Sequence, residues 1–465
     1  MKYALLAIIT LLPTYLIRFH IGAIPTTLLE ILLLSTFLFW CLQKIIQYTK
    51  ERSGAIPLSG VDDGSGHGVL RPRSEDERRR KAVSDHAGEA NEARGNAQGR
   101  SFILPIILFI LAGIISIFIA PDTRAALGLF RAYIIEPILF FIMFTDTLNH
   151  SPRSGSGQAG WPTVWHDVTI ALSLSALGVA LPAIYQEWNP IGIPNIHWAA
   201  AETRRVTSWY GFPNAIGLFL APLIPFFVAQ LFKKQKLLAR GYWLVATIAS
   251  LAAIVFAHSE GALFALAFVT IIAGPAHERT RLWTATLALL FALAIFYNPG
   301  WYSYMHDQLT LQNDSGKVRR IQWQETAQML RDISTPLGAG RPLLGAGLAG
   351  YPKTFAPYHK ATYIEIYQYP HNILLNFWSE LGLLGLLSFF WLIVVFYKKI
   401  LYHKKSLEIR NWKLEIAALA AMAIILIHGL VDVPYFKNDL AIFFWLLLAL
   451  TFTHETPMVM DTEKK

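Results

Sequence analysis

A histidine stands at the start of a late apolar segment. His371 follows Pro370 directly and precedes an apolar stretch that continues to about residue 397. Because proline is favoured in the first turn of a helix, the sequence predicts that His371 lies at a helix N-terminus. The positive end of the helix dipole disfavours an imidazolium ion there, and a neutral imidazole can accept a proton. His371 is therefore a candidate general base.

Two pairs of arginines, Arg204-Arg205 and Arg319-Arg320, lie in polar segments between apolar blocks. A guanidinium group stays charged and can donate two parallel hydrogen bonds to a phosphate group. An arginine in a loop is also commonly a solvated surface charge, and for each pair alone that interpretation stays open. Together with His371, Arg205 and Arg320 would combine anion binding with proton removal on one side of a membrane.

The residues after His371 follow a helical pattern. At about 100° per residue, Gly382 and Gly385 share the face of His371, and Glu380 lies nearly opposite. Two glycines on one face predict a shallow groove, which a polyprenyl chain or another helix would fill. Small residues also mark helix–helix contacts in membranes, so helix packing alone is the simpler interpretation.

Five other polar residues lie within apolar blocks or at their ends. His428 and Asp432 are four residues apart on one helix face, which predicts a structural Asp–His contact or a role in orienting a site loop. Arg131 and Glu136 are five residues apart, about 140° around an α-helix, so we expect no pairing between them. For Glu30 and Glu136, an interhelical hydrogen bond and a role in a substrate path both stay open.

The composition of the chain is that of a membrane protein. Of its 465 residues, 54% are hydrophobic and 15% are charged, whereas about 25% are charged in a typical soluble domain. The net charge of +9 comes from Lys and Arg clustered in alternate loops, which indicates membrane topology and argues against a nucleic-acid partner. The single cysteine, Cys41, excludes an internal disulfide and a cysteine metal cluster.

The apolar blocks predict an all-α membrane protein, a polytopic bundle of about 12 transmembrane helices, because about 20 apolar residues cross a bilayer core. The first block lacks a small-residue cleavage site, so we expect a retained helix and not a signal peptide. The predicted spans are about 3–19, 23–43, 102–120, 127–148, 166–186, 209–232, 242–258, 260–274, 282–297, 371–397, 414–432 and 436–453.

The four most basic loops fall on one side of the membrane in this arrangement. The positive-inside rule makes that side cytoplasmic, and both termini are then cytoplasmic as well. The predicted units are the first two helices in 1–43, a cytoplasmic linker in 44–101, helices three to nine in 102–297, an extracytoplasmic loop domain in 298–370, the last three helices in 371–453 and a cytoplasmic tail in 454–465.

The two long loops differ in composition. Residues 51–100 contain no Phe, Trp or Tyr and mix both charges, which predicts a disordered linker; attraction to anionic headgroups is the alternative. Residues 298–370 are rich in aromatic side chains, and the run Val318–Met329 predicts a helix. We therefore expect a folded, mostly helical loop domain on the external face.

Several short motifs follow one another between about residues 200 and 450. The most specific is His371-Asn372 followed by Glu380-x-Gly382-x-x-Gly385. The others are Arg205 nine residues before Asn214, Arg320-x-x-Trp323 followed by Leu344-Gly-Ala-Gly347, and His428-Gly-Leu-Val-Asp432. By these motifs the chain resembles the O-antigen ligase and polymerase family, a group of bacterial polytopic membrane glycosyltransferases.

The chain departs from the family pattern in two places. Phe212-Pro213-Asn214 stands where Asn-Pro-Asn is frequent in the family. Ser259-Glu260 stands where Ser-Arg is frequent, and a carboxylate at position 260 argues against a phosphate-binding role there.

The resemblance implies that the protein lies in the bacterial inner membrane in contact with membrane lipid. It also implies a glycan donor on undecaprenyl diphosphate at the external face of that membrane. Arg205 and Arg320 would bind the diphosphate and stabilise the charge that grows as the anomeric bond breaks. His371 would deprotonate or position a hydroxyl of a glycan or lipid acceptor, with inversion and with no metal or cofactor. The acceptor distinguishes ligase from polymerase and stays open. The supporting residues would be Asn214, Asn372, Glu380, His428 and Asp432.

A transporter of an anionic lipid-linked substrate is the alternative from another functional class. Unpaired acids in mid-membrane would favour transport. The large external loop and the motif that begins at His371 favour an enzyme.

Overall fold

The fold is that of a computed structural model, which describes residues 1–22, 24–54, 101–149, 161–274, 299–334, 340–403 and 412–454, with short pieces at 281–282, 284–286 and 288–289. Nearly all regular structure in these residues is helical, so the prediction of a helical membrane protein is confirmed. Most of the predicted linker and the predicted C-terminal tail lie outside the described residues.

The helices are numbered here in chain order. Some follow one another almost without a break, joined by a short 3-10 or π turn. Their bounds are α1 Lys2–Thr10, α2 Leu28–Gly54, α3 Ser101–Ile119, α4 Thr123–Phe130, α5 Glu136–Asn149, α6 Trp161–Trp188, α7 Ile196–Ala199, α8 Pro213–Leu220, α9 Ile224–Leu231, α10 Leu237–Phe256, α11 Glu260–Ala273, α12 Pro299–Leu309, α13 Asp314–Arg331, α14 Arg341–Leu344, α15 Tyr351–Phe355, α16 Ile373–His403, α17 Trp412–His428 and α18 Asn438–Leu450.

Seven stretches of the described residues are long and apolar enough to cross a membrane, so the predicted number of about twelve is not confirmed. The predicted span 282–297 lies mostly outside the described residues. Three shorter apolar helices, α11, α17 and α18, accompany the seven stretches. The seven are Leu28–Thr49, Ser101–Ile119, Thr123–Leu148, Val164–Trp188, Pro213–Leu231, Leu237–Phe256 and Ile373–Leu401.

The first apolar block folds differently from its prediction. Helix α1 ends at Thr10, and a 3-10 turn, Leu12–Leu16, follows with Pro13 at its start. A proline cannot continue an α-helix because it lacks an N–H and clashes with the carbonyl four residues earlier. The chain then forms an antiparallel hairpin of β1, Arg18–Ile21, and β2, Ile24–Thr27. The single helix predicted for 3–19 is therefore wrong.

One π turn, Arg131–Ile135, separates α4 from α5. The N–H of Glu136 donates to the carbonyl of Arg131, five residues earlier, so residues five apart come to one side. Arg131 Nε lies 3.3 Å from Glu136 Oε1, and Arg131 Nη2 lies 2.9 Å from Glu30 Oε2. The prediction that Arg131 and Glu136 would not pair is wrong, because it assumed an uninterrupted α-helix.

Helix α16 is interrupted at Gly382, where φ is 68° and ψ is −174°. A Cβ atom at Gly382 would lie only 2.4 Å from the carbonyl oxygen of Leu343, so only glycine fits. The segment after α14 packs against this break, and Ala346 N–H donates to the Ser379 carbonyl at 2.6 Å. The groove predicted beside Gly382 and Gly385 is therefore filled by the chain itself, as the simpler interpretation held.

Glu380 holds this inserted segment in place. Its carboxylate, 4% exposed, accepts a hydrogen bond from Ala349 N–H at 2.7 Å. Its backbone carbonyl accepts one from Ser116 Oγ at 2.5 Å, and Ser116 Oγ in turn accepts from Leu348 N–H at 2.7 Å. Glu380 thus joins α16, α3 and the segment before α15, and its role is structural.

The loop between α12 and α16 is helical over much of its described part. Helix α13 contains the predicted run Val318–Met329, so that prediction is confirmed. Asn313 caps the helix, because its side chain accepts a hydrogen bond from a first-turn N–H at 2.8 Å. The loop has a small hydrophobic core of its own, formed by Met329, Leu330, Ala346, Tyr351 and Phe355.

The directions of the helices bring one set of ends together. The C-terminal ends of α10 and α17 meet the N-terminal ends of α8, α11 and α16 on the side of the loop, and we call this side the loop end. The basic residues that follow α9 and those at the end of α16 lie at the opposite end of the bundle. The ion pairs Lys2–Asp167, 2.5 Å, and Lys44–Asp146, 2.7 Å, lie there as well.

Candidate active site

A cavity of about 270 Å³ opens at the loop end of the bundle. Its walls come from the starts of α8, α11 and α13, the end of α17 and the segments beside them. The lining residues are Arg205, Asn214, His258, Ser259, Glu260, Gly261, Asn313, Asp314, Ser315, Arg319, His428, Val431 and Asp432.

Arg205 is fixed beside the end of α10. Its backbone N–H donates to Trp198, and its Nε donates to the carbonyl of Ala257 at 3.1 Å. Its Nη2 donates to Asn214 Oδ1 at 2.9 Å and to the His258 carbonyl at 3.3 Å. Burial lowers the pKa of Arg205 from its ordinary, very high value, although a guanidinium stays protonated in proteins. The result is a fixed positive charge in the cavity wall.

Asn214, in the first turn of α8, links Arg205 to Asp432. Because its Oδ1 accepts from Arg205, its Nδ2 is the atom that donates to Asp432 Oδ2, at 3.3 Å. The amide can make both contacts in only this orientation. Arg205, Asn214 and Asp432 therefore form one continuous hydrogen-bonded chain across the cavity wall.

Asp432 follows the end of α17 and is 2% exposed. Burial on its own would raise the pKa of this carboxyl. The hydrogen bond from His371 and the positive charge of Arg319 outweigh burial and hold the pKa well below its usual range. Asp432 is therefore an ionised hydrogen-bond acceptor. Its Oδ1 contacts His371 Nδ1 at 3.3 Å and accepts from the N–H of Val433 at 2.9 Å.

His371 lies just outside α16 and not in its first turn, because the helix begins at Ile373. Asn372 is the cap: its Oδ1 accepts from the N–H groups of Leu374 and Leu375 at 3.0 and 3.1 Å. His371 itself has φ of 48°, a conformation that L-residues seldom adopt. The predicted sharing of a helix face between His371 and the glycines is therefore wrong, and the cap aims the imidazole toward Asp432 instead.

The carboxylate of Asp432 decides which nitrogen of His371 carries the proton. An ionised carboxylate can only accept a hydrogen bond, so Nδ1 donates to it. In the neutral imidazole, Nε2 then has a free lone pair and can accept a proton. The rings of Tyr367 and Tyr369 lie 5.1 and 5.0 Å from that of His371, nearly edge-on, and restrict its orientation.

Of the two arginines in α13, the cavity is lined by Arg319 and not by Arg320. Neighbouring residues of a helix point about 100° apart, and Arg320 is exposed. The positive charge of Arg319 acts on both Arg205 and Asp432, lowering the pKa of each. The diphosphate-binding role expected for Arg320 stays a prediction, and the geometry favours its neighbour.

Three helix N-termini face the cavity. Asn214 belongs to the first turn of α8, Glu260 and Gly261 begin α11, and Asp314 and Ser315 begin α13. The first N–H groups of a helix have no partner within it, and the helix dipole adds partial positive charge there. Two of these termini also carry the carboxylates of Glu260 and Asp314, so the charged anion-binding groups of the cavity wall are Arg205 and Arg319.

The model of the O-antigen ligase family matches residues 245–390. Residues 245–390 of the chain are thus similar to O-antigen ligases. The match supports an O-antigen ligase or polymerase type of membrane glycosyltransferase. No curated protein matches the chain.

The matched stretch contains only part of the cavity wall. It includes the lining residues Glu260 and Arg319. It also includes His371, which contacts the lining residue Asp432 but does not itself line the cavity. Arg205 and Asn214 precede the matched residues, and Asp432 follows them. The hydrogen-bonded chain therefore joins the matched stretch to segments on both sides of it.

Other predicted positions divide between the cavity and its surroundings. His428 lines the cavity, but the side chain of Asp432 bonds to His371 and Asn214, and not to His428 as the i, i+4 spacing predicted. Asn372 acts as the cap of α16, next to His371. Glu380 serves the inserted segment and does not line the cavity.

Proposed function

We propose that this protein transfers a glycan from an undecaprenyl-diphosphate carrier to an acceptor hydroxyl at the loop end of the bundle. The observation that carries the proposal is the chain of hydrogen bonds from Arg205 through Asn214 and Asp432 to His371. It fixes an anion-binding group and a proton acceptor relative to each other. The similarity of residues 245–390 to O-antigen ligases supports the same chemistry.

In this proposal the diphosphate occupies the basic part of the cavity. Arg205 and Arg319 supply the charged donors that bind it. Negative charge on the leaving diphosphate increases as the anomeric bond breaks. Donors already held in position stabilise that charge without reorganising during the reaction.

His371 acts on the acceptor. Its Nδ1 is occupied by Asp432, so Nε2 takes the proton of the acceptor hydroxyl while that oxygen attacks the anomeric carbon. The ionised Asp432 stabilises the resulting imidazolium. Attack from the face opposite the diphosphate inverts the anomeric centre, and the two arginines supply the positive charge that the leaving group needs.

Ligase and polymerase share this chemistry and differ in the acceptor, which is a lipid A core in the first case and a second glycan repeat in the second. The test incubates the purified protein, in lipid, with an undecaprenyl-diphosphate glycan and each acceptor in turn. We expect a new glycosidic product and one equivalent of undecaprenyl diphosphate. Release of undecaprenyl diphosphate without any glycosylated acceptor would contradict the proposal.

We also propose that the loop end faces the periplasm of a bacterial inner membrane, with the basic ends of the helices in the cytoplasm. The basis is the positive-inside rule. A cysteine introduced at Ser315, which is exposed at the start of α13, should react with a membrane-impermeant maleimide on intact spheroplasts. Reaction only after the membrane is broken would reverse the orientation. Cys41 is replaced by serine in the background used for labelling.

A further inference from the structure

The charges of the cavity are not those of a site for diphosphate alone. The lining has two guanidinium groups, but it also has three carboxylates, those of Glu260, Asp314 and Asp432. Asp432 is committed to His371 and Asn214, and Asp314 Oδ1 lies 3.8 Å from Lys317 Nζ, which leaves Glu260 facing the open space. Like charges repel, so the Glu260 carboxylate disfavours a diphosphate beside it. The space beside Glu260 suits a ligand that donates hydrogen bonds.

Glu260 is placed to accept such a hydrogen bond. It is the first residue of α11 and is exposed on the cavity side. Its Oε1 accepts from the hydroxyl of Tyr304 on α12 at 2.6 Å, which fixes the carboxylate. Within the described part of the chain, its Oε2 has no hydrogen-bond partner, so one oxygen remains for a ligand.

His428 provides a second, independent indication of a ligand. Its side chain is 3% exposed and lines the cavity, yet neither ring nitrogen has a hydrogen-bond partner among the residues that the structure describes. Gly261 leaves the room for this ring, because a Cβ there would lie 2.9 Å from His428 Cδ2. The ring is therefore mostly buried, with unpaired nitrogens beside the cavity, where a ligand can bond to them.

We infer that Glu260 and His428 bind hydroxyl groups of the acceptor glycan, next to the diphosphate held by Arg205 and Arg319. A sugar hydroxyl can donate to the carboxylate, and another can accept from or donate to the imidazole. The inference rests on the proposed function and deepens it. The cavity then receives both substrates: the arginines contact the leaving group, and Glu260 and His428 select a polyhydroxylated acceptor.

The experiment separates acceptor binding from donor binding in the purified full-length protein. The variants are Glu260→Gln and His428→Asn. Affinity for undecaprenyl diphosphate is measured directly, and KM and kcat are measured with lipid A–core oligosaccharide and with a lipid-linked glycan repeat as acceptors. The matched controls are Glu202→Gln and His197→Asn, which change exposed residues at the loop end outside the cavity.

We expect each cavity variant to raise KM for the acceptor about tenfold or more, the effect of one lost hydrogen bond to a charged or buried group. Affinity for undecaprenyl diphosphate should not fall in either variant, since Glu260→Gln removes a repulsive charge, and kcat at saturating acceptor should stay within about twofold of wild type. Glu260→Gln keeps an oxygen for Tyr304, so it tests the inference even if His428→Asn is unstable.

Two results would overturn the inference. Weaker binding of undecaprenyl diphosphate with unchanged acceptor KM would place both residues in the donor site. Unchanged KM and unchanged donor affinity would show that neither residue contacts a substrate. A wild-type protein that neither binds undecaprenyl diphosphate nor transfers a glycan contradicts the proposed function itself, and that result is distinct from both.

Discussion

Replacing His371 by alanine should abolish glycan transfer while undecaprenyl diphosphate still binds. The imidazole is the only group of the hydrogen-bonded chain with a lone pair free to take the acceptor proton, and general-base assistance contributes about 10²–10⁴-fold in rate. Donor binding should persist because, among the described residues, neither Arg205 nor Arg319 forms a hydrogen bond with the His371 side chain. Single-turnover transfer and direct donor binding measure the two effects separately.

Two further substitutions separate proton removal from orientation. His371→Gln can position a hydroxyl but cannot take its proton, so its turnover should be as low as that of His371→Ala. Asp432→Asn presents an amide that can donate to Nδ1 and thereby favours the wrong tautomer. Turnover near that of wild type in His371→Ala would remove the residue from catalysis, and turnover near wild type in His371→Gln alone would leave it an orienting role.

Lysine should fail at Arg205 almost as badly as alanine. The guanidinium of Arg205 donates in three directions, to Ala257, His258 and Asn214. An ammonium group is a point charge without that planar fork. Loss of one preorganised donor to a developing negative charge typically costs about 10²–10³-fold in rate. Transfer rates and undecaprenyl diphosphate affinity, with thermal unfolding as the check on folding, measure the effect.

Arg319 and Arg320 provide the matched comparison. Both are arginines of α13, but only Arg319 lines the cavity, so Arg319→Ala should lose as much activity as Arg205→Ala and far more than Arg320→Ala. A larger loss for Arg320→Ala would return the diphosphate contact to the residue that the sequence motif indicated. Equal, small losses would mean that Arg205 binds the diphosphate without either arginine of α13.

The choice between these arginines was within reach of the sequence. The sequence predicts the helix over 318–329, and the order of buried and exposed positions along that helix distinguishes Arg319 from Arg320. Arg319 lies three residues before Gln322 and seven before Thr326, both on the buried face of α13. Residues at these spacings share a helix face. The motif position indicates Arg320 as the arginine of the site, whereas the helix face indicates Arg319.

Local sequence spacing does not predict the pairing of His371 with Asp432. The two residues are 61 positions apart, and Asp432 has a nearer histidine four residues earlier. The i, i+4 rule holds only inside a helix, and α17 ends at His428. Beyond that end the backbone turns, so the side chain of Asp432 points to the cap of α16. Where helices end is the least certain part of a sequence-based prediction.

The periodicity of apolar residues does not predict breaks within helices either. The periodicity predicts one continuous face for Gly382 and Gly385, yet α16 is interrupted at Gly382 by a backbone conformation that only glycine adopts readily. An apolar run shows the same spacing on both sides of such a break. The composition therefore predicted a membrane helix at the right place and gave no sign that another segment enters it.

The π turn between α4 and α5 sets the phase of α5 relative to α4. One extra residue in a turn shifts the later side chains of the same helical stretch by about 100° relative to those before it. A helical wheel drawn through 123–149 as one helix therefore mixes two orientations. Deleting Ala132 would restore the α-helical count, rotate α4 against α5, and move Arg131 away from Glu136. It would also break the hydrogen bond from the Tyr435 hydroxyl to the Tyr133 carbonyl. Tyr435 lies three residues after Asp432, so the deletion would change the packing next to the cavity.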